Sequence, residues 1–90
     1  MGFTAVQIKL LPTSPESNLD NIKTKTENKI NEFHKTQVKF EEVPIAFGLK
    51  AINVIFAWND EIDLEKLEAE LQKIPEVSSL EVLDIRKAFG

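Results

Sequence analysis

The stretch TQVKFEEVPIAFGLKAINVIFAW, residues 36–58, decides the fold of this 90-residue chain. Before Pro44, the apolar residues Val38 and Phe40 alternate with polar ones. After Gly48 the same two-residue period returns, and it places on one face Ile52, Val54, Phe56 and Trp58. A period of two is typical of a half-buried strand. The stretch therefore predicts two strands joined by the segment PIAFG.

The joining segment is unusual because it carries two large apolar side chains, Ile45 and Phe47. A tight hairpin normally has small polar residues such as Asn-Gly at its turn. In one interpretation, Pro44 stiffens the segment, Gly48 takes a backbone conformation that other residues disfavour, and the apolar side chains fold over the edge of the core. In the other, they point outward as an apolar contact surface. The residue types leave both interpretations open.

A helix is predicted on each side of this hairpin, because apolar residues recur there with a period close to 3.6. The stripe of the first helix consists of Leu19, Ile22, Ile30 and Phe33, with Thr26 between them. Ser17 and Asp20 have the spacing of a capping box at its start. The stripe of the second helix consists of Leu64, Leu67, Leu71 and Ile74, and Pro75 ends that helix.

Both ends of the chain alternate like strands, in FTAVQIKLL and in VSSLEVLDIRK, where Ile85 breaks the alternation as a β-bulge would. The order β-α-β-β-α-β predicts an α+β fold. Its architecture is the ferredoxin-like βαββαβ sandwich, with a four-stranded antiparallel sheet and two helices on one face. We expect a single domain over residues 1–90.

The other face of the sheet is predicted to have no helix over it. It would carry Ala5, Lys39, Ala51, Asn53, Ile55, Glu81 and Leu83. A sheet face with some apolar character is a candidate docking surface. The fold alone does not identify a partner, because this architecture hosts nucleic-acid readers, metal carriers, phosphatases and regulatory modules.

The amino-acid composition excludes or disfavours several of these functional classes. The chain has no cysteine, which excludes disulfides, thiol catalysis and cysteine-based metal sites, and is compatible with a reducing cytosol. A formal net charge of −4 disfavours nucleic acid and anionic lipid as partners. No apolar run is long enough to span a bilayer, and the N-terminus lacks the pattern of a signal peptide. We therefore expect a soluble cytoplasmic protein that binds neither nucleic acid nor membrane.

Residues suited to catalysis or metal binding are not grouped in the sequence. His34 is the only histidine and falls at the end of the first predicted helix, while the serines lie near element boundaries with no histidine spaced to assist them. An RNA-binding sheet would need exposed aromatic residues on its central strands, where this chain has Ala51, Asn53 and Ile55. The residues thus favour a protein that is not an enzyme and has no cofactor.

The stretch EEVPIAFGLKAINVIFAW resembles the central hairpin of translation elongation factor 1-beta, whose short archaeal members carry Pro-Ile-Ala-Phe-Gly-Leu. The resemblance extends to a Ser-Pro-Glu turn at residues 14–16 and to the closing VSSLEVLDIRK, so it covers essentially the whole chain. It implies that the chain promotes replacement of GDP by GTP on elongation factor 1-alpha, a GTPase. It further implies a monomer that needs no cofactor and performs no covalent chemistry.

The resemblance also implies which residues bind the partner: Pro44, Ile45, Ala46, Phe47, Gly48 and Lys50, together with Arg86 and Lys87 near the C-terminus. In eukaryotic relatives a lysine near the C-terminus reaches toward the magnesium site of the partner. This chain has no lysine at the penultimate position, so Arg86 or Lys87 is the substitute candidate. The alternative function is a non-catalytic ferredoxin-like regulatory or small-molecule-binding interaction module, which would self-associate through Ile55 and Leu83.

Overall fold

The structure is a computed structural model that describes the backbone of residues 2–88 and the side chains of residues 2–86. The elements are β1 (Phe3–Pro12), α1 (Leu19–Phe33), β2 (Val38–Pro44), a 3₁₀ turn (Ala46–Gly48), β3 (Lys50–Asn59), α2 (Leu64–Gln72) and β4 (Val77–Ala88). All strand pairs are antiparallel, and the order across the sheet is β2-β3-β1-β4. This is the ferredoxin-like βαββαβ architecture that the sequence predicts.

The core lies between the two helices and one face of the sheet. Its fully buried side chains include Ile22 and Ile30 of α1, Leu67 and Leu71 of α2, and Ile8, Ile52 and Val54 of the central strands. Burial of each such side chain stabilises the fold by about 1.5–3 kcal/mol. The indole of Trp58 is also buried, and its Nε1 donates to the carbonyl oxygen of Ile62 at 2.9 Å. The predicted stripe of α1 is therefore confirmed, as is that of α2 as far as Leu71. Ile74 is also buried, but it lies beyond the end of α2 at Gln72, because the residue before a proline disfavours the helical conformation.

The start of α1 differs by one residue from the prediction. Asn18 caps the helix, and its side-chain oxygen accepts a hydrogen bond from the Asn21 N–H at 3.1 Å. Ser17 instead belongs to the preceding turn, where its N–H donates to the Ser14 carbonyl oxygen at 3.2 Å. Both serine and asparagine cap helices well, so residue type alone does not choose between adjacent positions. The second helix is capped by Asp63, which accepts from the Glu65 N–H at 3.0 Å.

Strand β4 contains two irregularities in its pairing with β1. Val82 pairs with Ile8 and Asp84 pairs with Gln7, so Leu83 is the extra residue of a bulge. A second shift between Leu11 and Pro12 leaves Ser78 unpaired in the register. The alternation break at Ile85 thus correctly indicates a bulge, but the bulge lies two residues earlier. Bulges on an edge strand disfavour pairing with another chain.

The register places the predicted residues of the open face, apart from the bulged Leu83, on the side away from the helices. Ala5 pairs with Ala57, and Lys39 pairs with Ile55. Ala51 is fully buried although it lies on this face, so its predicted exposure on the open face is wrong. Among the described residues, neither helix is long and apolar enough to cross a membrane.

Candidate functional site

The loop between β2 and β3, residues 45–49, lies at one end of the sheet and is called the tip below. Pro44 pairs with Lys50 as the last rung of the hairpin. Inside the loop, the Ile45 N–H donates to the Leu49 carbonyl oxygen at 2.8 Å, and the Leu49 N–H donates to the Ala46 carbonyl oxygen at 3.3 Å. The tip therefore has a defined backbone conformation that is closed by its own hydrogen bonds.

Phe47 is the most exposed large apolar residue that the structure describes. Its side chain is 93% exposed, so the interpretation that Phe47 folds over the core edge is wrong. Its backbone has φ 62° and ψ 31°, in the left-handed region, and Gly48 follows with φ 76°. An L-residue in that region costs roughly 1–2 kcal/mol. The fold thus holds an aromatic side chain in water on a strained backbone, an arrangement typical of contact and functional sites.

Two neighbours of Phe47 extend this apolar surface. Val43 and Ile45 are each 37% exposed. Ile45 was predicted for the site, whereas Val43 was not, because the alternation of β2 makes it look like an ordinary strand residue. Three large apolar side chains within five residues are more than an isolated surface residue would explain.

A chain of charges lies beside the tip on the helix side. Lys23 of α1 donates to Glu42 at 2.6 Å, and Lys50 lies 4.0 Å from the other carboxylate oxygen of Glu42. The hydrogen bond and charge of Lys23 lower the pKa of Glu42, so the carboxylate is ionised at neutral pH. The contact of Lys50 is loose and its side chain is 56% exposed, so its ammonium is accessible from solvent.

Pro15, for which the sequence predicts no role, lies close to the tip in the structure. A Cβ built on Gly48 would be 3.9 Å from the Cβ of Pro15. The Ser-Pro pair indicates a turn, but no local pattern predicts which distant loop such a turn will contact. The β1–α1 loop is therefore a neighbour of the tip that only the tertiary structure reveals.

The structure places the second predicted group at the opposite end of the sheet. Arg86 pairs with Ala5, which in turn pairs with Ala57 near the end of β3. Ala57 and Lys50 are seven residues apart on β3, which is about 23 Å at 3.3 Å per residue. The tip follows β2, which is one edge strand of the sheet, and Arg86 lies on β4, which is the other edge strand. The two groups therefore occupy diagonally opposite corners of the sheet.

At that far corner, Arg86 is exposed and pairs with a neighbour on its own strand. Its Nε lies 2.9 Å from the Asp84 carboxylate, and its side chain is 81% exposed. The backbone of Lys87 pairs with Thr4. The residues predicted from the resemblance therefore form two separate surfaces and not one composite site.

The groove between the two helices contains no free group suited to catalysis or metal binding among its described residues. A groove of about 390 Å³ between the helices is lined by Glu32, Phe33, Lys66, Ala69 and Glu70. Its Glu70 is already paired with Lys73 at 2.8 Å and Lys29 at 3.4 Å. Within residues 2–88, no group of three or more His, Cys, Asp or Glu side chains could hold a metal ion.

The chain matches one protein-family model, the EF-1 guanine nucleotide exchange domain, over residues 5–88. The chain belongs to this exchange-domain family. The match contains both the tip loop and the tail residues Arg86 and Lys87, so the resemblance noted in the sequence is confirmed at the level of the family.

Curated relatives of similar length carry the name elongation factor 1-beta. The chain is 39% identical to that of Methanothermobacter thermautotrophicus and 37% identical to that of Methanobrevibacter smithii, covering 97% of this chain and 98% of the relative in both cases. It is 32% identical to that of Methanocaldococcus jannaschii, covering 98% of this chain and all of the relative.

A solved structure shares the fold of these exchange domains. The chain superposes on BlrP1 BLUF with a TM-score of 0.58 and 15% sequence identity, over 98% of this chain. The chain spans 56% of the length of that chain. At this identity the likeness concerns the fold alone.

Proposed function

We propose that this chain is a guanine nucleotide exchange factor that promotes replacement of GDP by GTP on translation elongation factor 1-alpha. The observation that carries the proposal is the exposed Phe47, held on a left-handed backbone at the tip of an exchange-domain fold. The chain would act as one domain, as a monomer, in the cytoplasm. It would not be an enzyme, because exchange forms and breaks no covalent bond.

The thermodynamics of exchange require differential binding. A factor that binds the nucleotide-free GTPase more tightly than the GDP complex lowers the affinity for GDP by the same factor, because the coupling between two ligands is reciprocal. A rigid surface that fits only the distorted nucleotide site supplies such a difference. The absence of grouped catalytic residues from the sequence is consistent with this kind of mechanism.

Phe47 suits the role of a preorganised apolar wedge. Its exposed ring would lose water on entering a partner pocket, and aromatic anchors of this kind dominate interface energies. The loop hydrogen bonds already fix its backbone, so little conformational entropy remains to be lost on docking. Ile45 and Val43 would extend the contact, and Lys50 would steer the tip toward acidic surface.

The tail would act on a different part of the partner. Arg86 or Lys87 would bring a positive charge near the magnesium site, where it would compete with the cation that holds the phosphates. Because these residues lie about 23 Å or more from the tip, a single GTPase must contact the exchange factor at two places. The wedge and the tail would therefore make separate contributions to exchange.

The test is release of a fluorescent GDP analogue from archaeal elongation factor 1-alpha, in excess unlabelled nucleotide and at several magnesium concentrations. Substoichiometric wild-type chain should accelerate release. Phe47→Ala should lower kcat/KM about 30-fold, because truncating a buried aromatic anchor costs about 2 kcal/mol. Loss of activity with Lys87→Ala but not with Phe47→Ala would move the mechanism to the tail.

The matched control is Leu83→Ala, which truncates an exposed apolar side chain of β4 that the sequence predicts for the open face. An exchange factor that works through the tip should keep its activity in this variant. If the wild-type chain does not accelerate release, the proposed function is wrong. A module that self-associates through the open face would instead lose its dimer in Leu83→Ala, as sedimentation would detect.

A further inference from the structure

The cation beside the tip is held loosely although a carboxylate lies next to it. Lys50 pairs with Pro44 on the last rung of the hairpin, and Glu42 lies two residues before Pro44 on β2. Residues in such a diagonal position are close enough for long side chains to meet. The Nζ of Lys50 nevertheless lies 4.0 Å from Oε1 of Glu42, which is beyond hydrogen-bond distance. The two charges therefore attract each other without a hydrogen bond.

Glu42 is instead engaged by a lysine of the first helix. The Nζ of Lys23 donates to the other carboxylate oxygen, Oε2, at 2.6 Å. A charge-assisted hydrogen bond is stronger than an attraction between charges that are not hydrogen-bonded. The pKa of Glu42 follows the same order, since it is lowered first by the hydrogen bond and charge of Lys23 and last by the charge of Lys50. Lys23 thus satisfies the carboxylate and leaves Lys50 available.

This arrangement decides what it costs Lys50 to bind a partner. If Glu42 depended on Lys50 alone, an acidic partner would have to break one ion pair in order to form another. It would also meet an uncompensated carboxylate beside the contact, and like charges repel. Because Lys23 neutralises Glu42, Lys50 can leave its position without either penalty. Its side chain is exposed, and it lies three residues along the chain from Phe47.

We propose that Lys23 is a positioning residue that neutralises Glu42, so that Lys50 can bind a carboxylate on the rim of the partner pocket that receives Phe47. The inference rests on the proposed exchange function and gives that pocket a chemistry, apolar at its floor and acidic at its rim. It also adds α1 to the machinery of the tip, because Lys23 acts on the partner through Glu42 and Lys50.

The experiment measures KM for the GDP-bound partner in the exchange assay, with the full chain. Lys50→Ala should raise KM about threefold, which is the scale of a surface ion pair. Lys23→Ala should raise KM by about as much with kcat unchanged, because the bare carboxylate of Glu42 then holds Lys50. An unchanged KM in either variant would overturn the inference.

The matched control is Lys29→Ala. The side chain of Lys29 is 25% exposed, against 24% for Lys23 on the same helix. Its partner Glu70 also keeps a second lysine, Lys73, at 2.8 Å. The two variants change the net charge equally and remove similar ion pairs, but only Lys23 shares a carboxylate with the hairpin. Lys29→Ala should leave KM within about 1.5-fold of wild type, and equal effects of the two variants would contradict the proposal.

Removal of the carboxylate charge separates positioning from loss of stability. In Lys23→Ala/Glu42→Gln nothing captures Lys50, so KM should return to within about 1.5-fold of wild type. In the Lys50→Ala background, Lys23→Ala should have no further effect, because its action passes through Lys50. An effect of Lys23→Ala that persists in either background would show general damage instead. Lys23→Gln, which keeps most of the side-chain length, takes the place of Lys23→Ala if that variant does not fold.

A chemical probe tests the same pairing without the partner. Limited acetylation of Lys50 with acetic anhydride, followed by mass spectrometry, should be about twofold slower in Lys23→Ala than in wild type, because a nearby carboxylate favours the charged, unreactive ammonium. The rate should recover in Lys23→Ala/Glu42→Gln, and an unchanged rate would overturn the inference. If acetylation follows this pattern but wild type does not accelerate release of GDP, the proposed function fails, and the inference loses its partner for that separate reason.

Discussion

At the scale of single residues, the tip combines two features that stability alone would not favour. Phe47 exposes an aromatic ring to water, and its backbone occupies a region that L-residues avoid. Gly48 extends the left-handed conformation at lower cost because it lacks a Cβ. The glycine lets the chain leave the strained residue and rejoin β3.

Replacement of Gly48 tests the requirement for a left-handed backbone. Gly48→Ala should lower the free energy of unfolding by about 1–2 kcal/mol. The cause is backbone strain and not a clash, since an added Cβ would meet its nearest neighbour at an ordinary 3.9 Å. Equilibrium urea unfolding followed by the fluorescence of Trp58 measures the change.

The matched control for this prediction is Gly48→Asn. Asparagine tolerates the left-handed region better than alanine, so this larger residue should be the less destabilising of the two. If Gly48→Asn costs more than Gly48→Ala, side-chain crowding and not backbone conformation explains the glycine.

At the scale of elements, α1 has a defect in the middle of its apolar stripe. Thr26 is fully buried, and its hydroxyl oxygen finds no hydrogen-bond partner in the part of the chain that the structure describes. Burial of an unpaired hydroxyl is unfavourable. The helix is nevertheless held in place by Ile22 and Ile30, one turn away on either side.

Replacement of Thr26 by valine should therefore stabilise the protein. Thr26→Val keeps the shape and removes the buried hydroxyl, so the free energy of unfolding should rise by about 1 kcal/mol. Helix propensities of the two residues are similar and should not obscure the effect. Thr24→Val is the control, because Thr24 is exposed on the same helix and should change stability by less than about 0.5 kcal/mol. Equal shifts in both variants would contradict this account.

At the scale of the whole molecule, three ion pairs among the described side chains connect α1 to the rest of the fold. They join Lys23 to Glu42 of β2, Lys25 to Glu76 before β4, and Lys29 to Glu70 of α2. Lysine contacts lower the pKa of each carboxyl group from 4.5: Lys23 at Glu42, Lys73 and then Lys29 at Glu70, and Lys25 at Glu76. Each pair therefore stabilises the folded state only while the carboxylate is ionised.

This linkage predicts how stability depends on pH. Because the folded-state pKa values lie below 4.5, the contribution is fully present above the unfolded pKa and is lost as the pH falls through the folded values. The triple variant E42Q/E70Q/E76Q should be less stable than wild type at pH 7, and this difference should shrink at pH 3. Urea unfolding at both pH values measures it. An equal difference at both would show that charge is not the cause.

The separation of tip and tail predicts additive effects on exchange. Phe47→Ala and the pair Arg86→Ala/Lys87→Ala change surfaces about 23 Å or more apart that share no residue. Their losses in kcat/KM should therefore multiply in the combined variant, to within about twofold. Exchange kinetics of the three variants test this. A combined loss no larger than either single loss would mean that both surfaces act on one step as a unit.

By itself, the sequence determined the elements, the core and the family. Alternation in β2 and β3 and the stripes of both helices depend on which residues are apolar at fixed spacing, so local periodicity suffices to predict them. Small displacements, such as Asn18 in place of Ser17 as the cap, occur because adjacent residues have similar capping ability. The bulge lies at Leu83 and not at Ile85, because its position depends on how β4 pairs with β1, which the sequence of β4 alone does not determine.

Only the tertiary structure decided the arrangement of the candidate site. Residue types at the tip permitted Phe47 to be either buried or exposed, and the choice depends on where the hairpin ends relative to the core. The closeness of Pro15 to Gly48 and the distance between the tip and Arg86 follow from the tertiary arrangement of the strands and loops, which brings together residues far apart in the chain. Local periodicity contains no information on such distances, because it describes which face a residue occupies and not which distant segment lies beside it.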